Sequence, residues 1–289
     1  MAAFAIVYVI WGSTYLAIRF AIDTLPPFLM AAGRFLVAGV LMWLWAKRRG
    51  AGRPTRRQVG AAAIVGALLL MGGNGGVVWA QLRIDSGLAA LLVAMVPLWV
   101  VTIEWLLPGG RRPRLPLVLG VAGGLAGIVL LVGPAELAGV ERMDLLGAGA
   151  VIVASLLWSI GSLYAARAEL PKSARQATGI EMLFGGVGLL AVGSLSGEFA
   201  RLDLAAVTPL SWAALAYLVV FGSLIAFSAY VWLLRVAPAS KVATYAYVNP
   251  VVALVLGWAF AGEELTARTL LAAAVILASV MLIVTYRQR

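Results

Sequence analysis

Apolar runs of about 18 residues or more follow one another along almost the whole chain, separated by short polar connections. Backbone N–H and C=O groups in lipid find no water, so each run must satisfy them within itself or in a closed barrel. Runs of this length and uniform apolarity predict helices rather than the alternating strands of a barrel. Composition agrees: 63% of residues are hydrophobic and 12% charged, about half the charge fraction of roughly a quarter usual in soluble domains. Apolar runs read against breakers predict ten spans, roughly 3–22, 27–46, 58–80, 84–107, 115–133, 145–166, 175–195, 209–233, 239–261 and 267–286. The expected fold class is an all-α integral membrane protein. The first apolar run lacks a basic leader and a cleavage site, so it reads as a span rather than a signal.

The connections fix an expected orientation. Lys47, Arg48, Arg49, Arg53, Arg56 and Arg57 crowd one loop, Arg111, Arg112 and Arg114 another, and Arg167, Lys172 and Arg175 a third. Arg235, Lys241, Arg287 and Arg289 fall on the same side, whereas Glu136, Glu141, Asp144, Glu198, Asp203, Glu263 and Glu264 fall in the alternate loops. By the positive-inside rule both termini are cytoplasmic. The same distribution accounts for the net charge of +10 without a nucleic-acid partner.

The chain also repeats. Val77–Pro97 lies over Tyr230–Pro250 without a gap, placing Trp79 on Trp232, Pro97 on Pro250 and, further on, Trp105 on Trp258. A second register puts Trp11 on Trp158 and Arg34 on Glu181. Residues 1–134 and 135–289 thus read as two five-helix copies. An odd number of spans per copy inverts the second relative to the first. Inverted repeats are the sequence mark of a secondary transporter, with its site near the midplane between the copies and alternating access as its mechanism.

Several residues mark that site. Pro97 and Pro250 fall inside spans four and nine, where each removes a backbone donor and loosens the helix, making a repeat-equivalent pair of hinge candidates. Leu92, Met95, Val96 and Trp99 share a face of span four, and Tyr245 and Asn249 share one of span nine. Trp158 pairs with Ser162 in span six, and Trp11 with Tyr15 in span one. Asn74 interrupts a glycine cluster in span three, and Phe227 is its counterpart. Trp43, Trp45, Trp105 and Tyr286 lie near span ends, as an interfacial belt requires. An aromatic, weakly polar cavity suits a neutral or zwitterionic substrate with a flat apolar side chain. Arg34, Glu181 and Glu104 are the intramembrane charges. Arg34 and Glu181, near opposite surfaces, are expected to bind backbone or loop groups locally, and Glu181 is the best candidate for proton coupling. Pairs such as Gly120 and Gly124, or Gly123 and Gly127, permit close helix contact within one bundle or across a dimer.

The residue inventory excludes other chemistries. The chain has no histidine and no cysteine, which leaves no thiolate and removes the commonest metal ligand and neutral-pH acid–base group, and no metal site is expected. No cofactor is expected, and no phosphate-binding loop of an ATP-driven pump occurs. A membrane-embedded enzyme would need convergent catalytic groups that the sequence does not offer.

WGSTYLAIRF (Trp11–Phe20), GRFLVAG (Gly33–Gly39) and the prolines of spans four and nine resemble, in order and spacing, the EamA-type family of the drug/metabolite transporter superfamily. Within it the chain resembles the YddG-type exporters of aromatic amino acids. The resemblance implies a bacterial inner-membrane protein that exports amino acids, aromatic or otherwise neutral, or related metabolites, through a cavity lined by spans one, three, four, six, eight and nine. It supports Asn74, Trp158 and the faces beside the two prolines as substrate-binding, and identifies no coupling ion. Export of lipophilic cations is the alternative. A single chain holds a complete site, and its oligomeric state is left open.

Overall fold

The computed structural model describes residues 2–106, 115–132, 144–237, 242 and 245–287. Arg111, Arg112, Arg114, Glu136, Glu141, Lys241, Arg289 and the boundary between residues 134 and 135 lie outside the described residues, as do the side chains of Arg235 and Arg287. All regular structure among the described residues is helical. The helices are α1 (Ala2–Ala21), α2 (Pro27–Arg48), α3 (Arg56–Ala80), α4 (Ser86–Leu106) and α5 (Leu115–Val132). Then follow α6 (Leu145–Ala165), α7 (Ala174–Leu195), α8 (Pro209–Tyr217 continuing through Val236), α9 (Tyr245–Ala261) and α10 (Ala267–Arg287). Seven of these, α1 to α4 and α6 to α8, are long and apolar enough to cross a membrane, and α5, α9 and α10 carry shorter apolar stretches among the described residues.

The sequence starts these helices by recognisable means. Thr55 and Gln58 form a reciprocal capping box at α3, Asp144 accepts from the N–H groups of Leu146 and Gly147 at α6, and Ser173 and Thr208 cap α7 and α8. At Asp144, the hydrogen bond from Arg83 and those of the helix N-terminus hold the carboxyl below its ordinary pKa. Helices α2 and α4 lack a cap of their own. Glu198 and Glu263, distant in sequence, supply it, as described below.

Among the described residues, three helices depart from α geometry. In α4 the helix breaks between Val93 and Val96. Pro97 has no N–H for the Val93 carbonyl four residues back, and its ring crowds that oxygen. Helices α3 and α8 each contain wide π-helical turns, Ala67–Asn74 and Leu218–Phe227. These end at Asn74 and Phe227, the two residues that the repeat alignment superposes. Such turns concentrate at functional sites.

Packing depends on glycine. Helix α7 lies between α2 and α3. A Cβ on Gly66 would collide with the Glu181 carbonyl oxygen, one on Gly179 would come 2.9 Å from the Trp43 nitrogen, and one on Gly185 2.6 Å from Leu70 Cβ. Beyond these pairs, α1 packs on α8 and α9, α6 on α3 and α4, and α5 on α10. Large apolar side chains such as Leu41, Ile64, Val129, Phe184 and Phe260 remain exposed on the outside, and that surface needs lipid to cover it. Trp43, Trp45, Trp105 and Tyr286 are exposed as well. Gly66→Ala is expected to lower stability by about 1–3 kcal/mol through overpacking. Gly60→Ala, on the open face of the same helix, is expected to gain about 0.5–1 kcal/mol. Thermal melts in detergent measure both, and equal effects at the two sites would contradict this packing.

Candidate functional site

The wide turns of α3 and α8 bring Asn74 and Phe227 to the same cavity of about 70 Å³, together with Trp11, Thr14, Tyr15, Arg34, Trp158, Tyr245 and Asn249. Asn249 also ties α9 to α1: its amide nitrogen, in the orientation that satisfies both partners, lies 3.2 Å from the Tyr245 carbonyl and 2.9 Å from that of Tyr8. Gly12 admits this approach, since a Cβ there would sit 2.6 Å from Val252 Cβ.

A second cavity, of about 510 Å³, lies on the other side of the aromatic residues and reaches the face carrying the basic loops. Val96, Val100, Glu104, Ser162, Arg167, Lys172, Glu181, Tyr230 and Tyr245 are among its lining residues. Between the cavities stands a cluster of five rings. Trp11 is its hub, with its centroid 4.8 Å from Tyr230, 5.4 Å from Tyr245, 5.7 Å from Trp158 and 6.4 Å from Phe227. The contacts to Tyr245 and Trp158 are edge-on, the arrangement that ring quadrupoles favour. The Trp11 indole N–H donates to the Gly222 carbonyl at 3.3 Å. Trp11, Trp158 and Phe227 line the small cavity and Tyr230 the large one, while Tyr245 faces both. The wall is therefore about one ring thick.

The two faces of the bundle close differently. On the acidic-loop face, Glu198 accepts from the backbone N–H groups of Phe28 (3.2 Å) and Leu29 (2.8 Å) at the start of α2. Glu263 accepts from Ser86 N (2.8 Å), Ser86 Oγ (2.6 Å) and Gly87 N (3.0 Å) at the start of α4. Each glutamate follows a glycine with positive φ, Gly197 at 72° and Gly262 at 67°, which reverses the chain and aims the carboxylate. Negative charge at a helix N-terminus satisfies orphan donors and the macrodipole together. Thr24 and Ser211 add a hydrogen bond of 2.8 Å on this face, and Ser211 donates onward to the Phe20 carbonyl at 2.7 Å. The basic-loop face carries the large cavity instead, and its Arg57–Glu169 ion pair, 3.6 Å long, is solvent-exposed, a kind of pair that contributes little.

Of the residues marked from sequence, Trp11, Tyr15, Asn74, Trp158, Phe227, Tyr245 and Asn249 line the small cavity. Val96, Ser162 and Glu181 line the large one, with Glu181 only 2% exposed. Leu92 and Met95 line neither cavity and are buried in the core. The break at Ala94 and Met95 puts them out of register with the face of Val96. Trp99 donates to Ser155 Oγ at 2.9 Å and fastens α4 to α6. Pro97 lies at the break and Pro250 inside α9, and both are buried. Arg34 corrects the sequence expectation. It was expected to bind local groups near its own surface, yet it lines the small cavity and donates from Nε to Ser223 Oγ of α8 at 2.8 Å. Thr14 and Tyr230 line the cavities as well, although neither is among the residues the sequence marks. For Tyr230 a signal was available, since it opens the second copy of the aligned segment.

If the ring cluster is the barrier, Tyr230→Ala joins the two cavities. The chain has no cysteine, so Asn74→Cys reports on the small cavity alone. Its reaction with a water-soluble maleimide added at the basic-loop face is expected to be slow, and to accelerate at least tenfold when combined with Tyr230→Ala. Equal rates in the two backgrounds would place the barrier elsewhere.

Known proteins resemble this chain along its full length. The EamA-like transporter family matches residues 1–133 and 145–285. An uncharacterized inner membrane transporter, YedA of Escherichia coli (strain K12), is 40% identical over 284 residues, spanning 98% of this chain and 89% of its own. Protein PecM of Dickeya dadantii (strain 3937) is 28% identical over 280 residues, 95% of this chain and 88% of its own. A solved crystal structure at 22% identity superposes with a TM-score of 0.68 over 100% of this chain and 99% of that one, and so shares its fold. A chain that carries seven helices long and apolar enough to cross a membrane among its described residues, and that is matched in this way over nearly its full length, belongs to the EamA-like transporter family.

Proposed function

We propose that this protein is a secondary transporter of the inner membrane, built as two inverted five-helix repeats over residues 1–134 and 135–289. It exports amino acids, aromatic or otherwise neutral, or related metabolites by alternating access. The observation that carries this reading is the pair of cavities facing opposite sides of one aromatic wall. A barrier about one ring thick moves through few side chains, whereas the acidic-loop clasps and the basic-loop vestibule give the two faces distinct closures.

The helix neighbours support the repeat. Under the exchange of each helix for the one five places on, α1 on α9 becomes α6 on α4, and α6 on α3 becomes α1 on α8. Likewise α7 on α3 becomes α2 on α8, while α2 on α7, α4 on α9 and α5 on α10 map onto themselves. The paired π-helical turns ending at Asn74 and Phe227 agree, as does the family's match over two stretches. With ten crossings and the basic loops inside, both termini are cytoplasmic and this conformation faces inward.

The ring cluster suits a substrate with a flat apolar part, and Asn74 and Asn249 offer polar contact without charge. Pro97 and Pro250 serve as hinges. Glu181 in the inward vestibule favours a second reading, export of lipophilic cations through a buried carboxylate and aromatic walls. Counterflow in proteoliposomes without a pH gradient tests both. Tryptophan and phenylalanine are expected to exchange, Trp158→Ala to lose most of that exchange, and Glu181→Gln to keep most of it. Exchange of lipophilic cations that collapses in Glu181→Gln would favour the second reading. Uptake appearing only under an imposed pH gradient would make Glu181 the coupling group.

A further inference from the structure

Arg34 is a buried cation, 4% exposed, whose Nη1 has no hydrogen-bond partner. Its Nε is committed to Ser223 Oγ, its guanidinium rests 4.8 Å from the centroid of the Phe35 ring, and Gly222 leaves space beside Nη2, where a Cβ would sit at 2.9 Å. The head group is thus tied to α8 through Nε, Nη1 is left without a partner, and the residue lines the small cavity. Among the described residues lining that cavity none is a carboxylate; Glu181 lines the vestibule beyond the ring cluster. Asn74 Oδ1, also buried and without a partner, lines the same cavity. An uncompensated buried charge is costly, and a guanidinium held by one nitrogen is suited to receive a planar carboxylate.

We infer that Arg34 is the anchor for a carboxylate on the transported molecule, and that Asn74 Oδ1 accepts from a neighbouring donor such as an ammonium group. This inference rests on the transporter reading above and narrows its substrate to carboxylate-bearing metabolites. The aromatic rings that line the same cavity, Trp11, Trp158, Phe227 and Tyr245, offer the apolar part of such a substrate its contacts. Lipophilic cations without a carboxylate meet a like charge at this cavity.

Matched probes test the anchor without a variant. Trp11 and Trp158 border the cavity, so binding is read from the intrinsic fluorescence of the purified protein. Phenylalanine is compared with phenylalanine amide, and alanine with alanine amide. The carboxylate members are expected to bind at least about tenfold more tightly. Arg34→Gln is expected to abolish that preference and Arg34→Lys to retain part of it. Equal binding of acid and amide, a preference that survives Arg34→Gln, or no carboxylate binding at millimolar concentration would each overturn the inference. Liposome exchange of the same four probes separates this from failure of the transporter reading. Binding that prefers carboxylates without any exchange contradicts transport and leaves the anchor standing. Exchange of acids and amides at equal rates retains transport and removes the anchor.

Discussion

Helices in lipid gain little from burying apolar side chains, because acyl chains are as apolar as leucine. Association must come from close van der Waals contact, and in this protein the contact is backbone to backbone along α7. Gly66, Gly179 and Gly185 let α2 and α3 approach it to a distance that a single methyl group would block. Everything nearer the centre is referred to that frame. It fixes where Arg34 leaves α2, where the wide turn of α3 can bulge, and how far α8 stands from both. Residues of α1, α8, α6 and α4 line the small cavity.

In the proposed reading, function follows from an asymmetry laid over the repeat. The helix neighbours exchange in pairs, yet the two carboxylates that cap α2 and α4 both lie on the acidic-loop face. A carboxylate binding two backbone donors is a strong, directional and reversible contact. Unlike a hydrophobic seam, it can be released without exposing apolar surface. Glu198 and Glu263 tie helix starts on one face through such contacts, and the other face carries the vestibule. In the proposed cycle, substrate binding at the ring cluster and release of these clasps are the two events that must be linked.

Much of this was legible in the sequence. The long apolar runs required helices in lipid, and the superposition of Asn74 on Phe227 already marked the ends of the two wide turns. Seven of the marked residues meet at the small cavity because periodicity and alignment record which faces look inward. Other features were not legible. Pro97 suggested a loosened helix, but the register after the break at Ala94 and Met95 depends on tertiary packing, so Leu92 and Met95 were given the wrong neighbours. Arg34 was misread because depth along a helix does not say which way a side chain turns. Its direction is set by Ser223, on a helix far away in sequence. The glutamate clasps were visible only as loop acids, since their targets are backbone groups that carry no sequence signal.

Reciprocity between the two cavities is the central claim, and single-cysteine accessibility tests it most directly. Val93→Cys reports on the small cavity and Leu69→Cys on the vestibule, each in the otherwise cysteine-free chain. Both are labelled in membrane vesicles with and without Glu263→Gln, which weakens the clasp at α4. The account predicts that this change speeds labelling at Val93→Cys from the acidic-loop face and slows it at Leu69→Cys from the basic-loop face. Rates that rise together, or a vestibule that does not respond, would contradict alternating access across the aromatic wall.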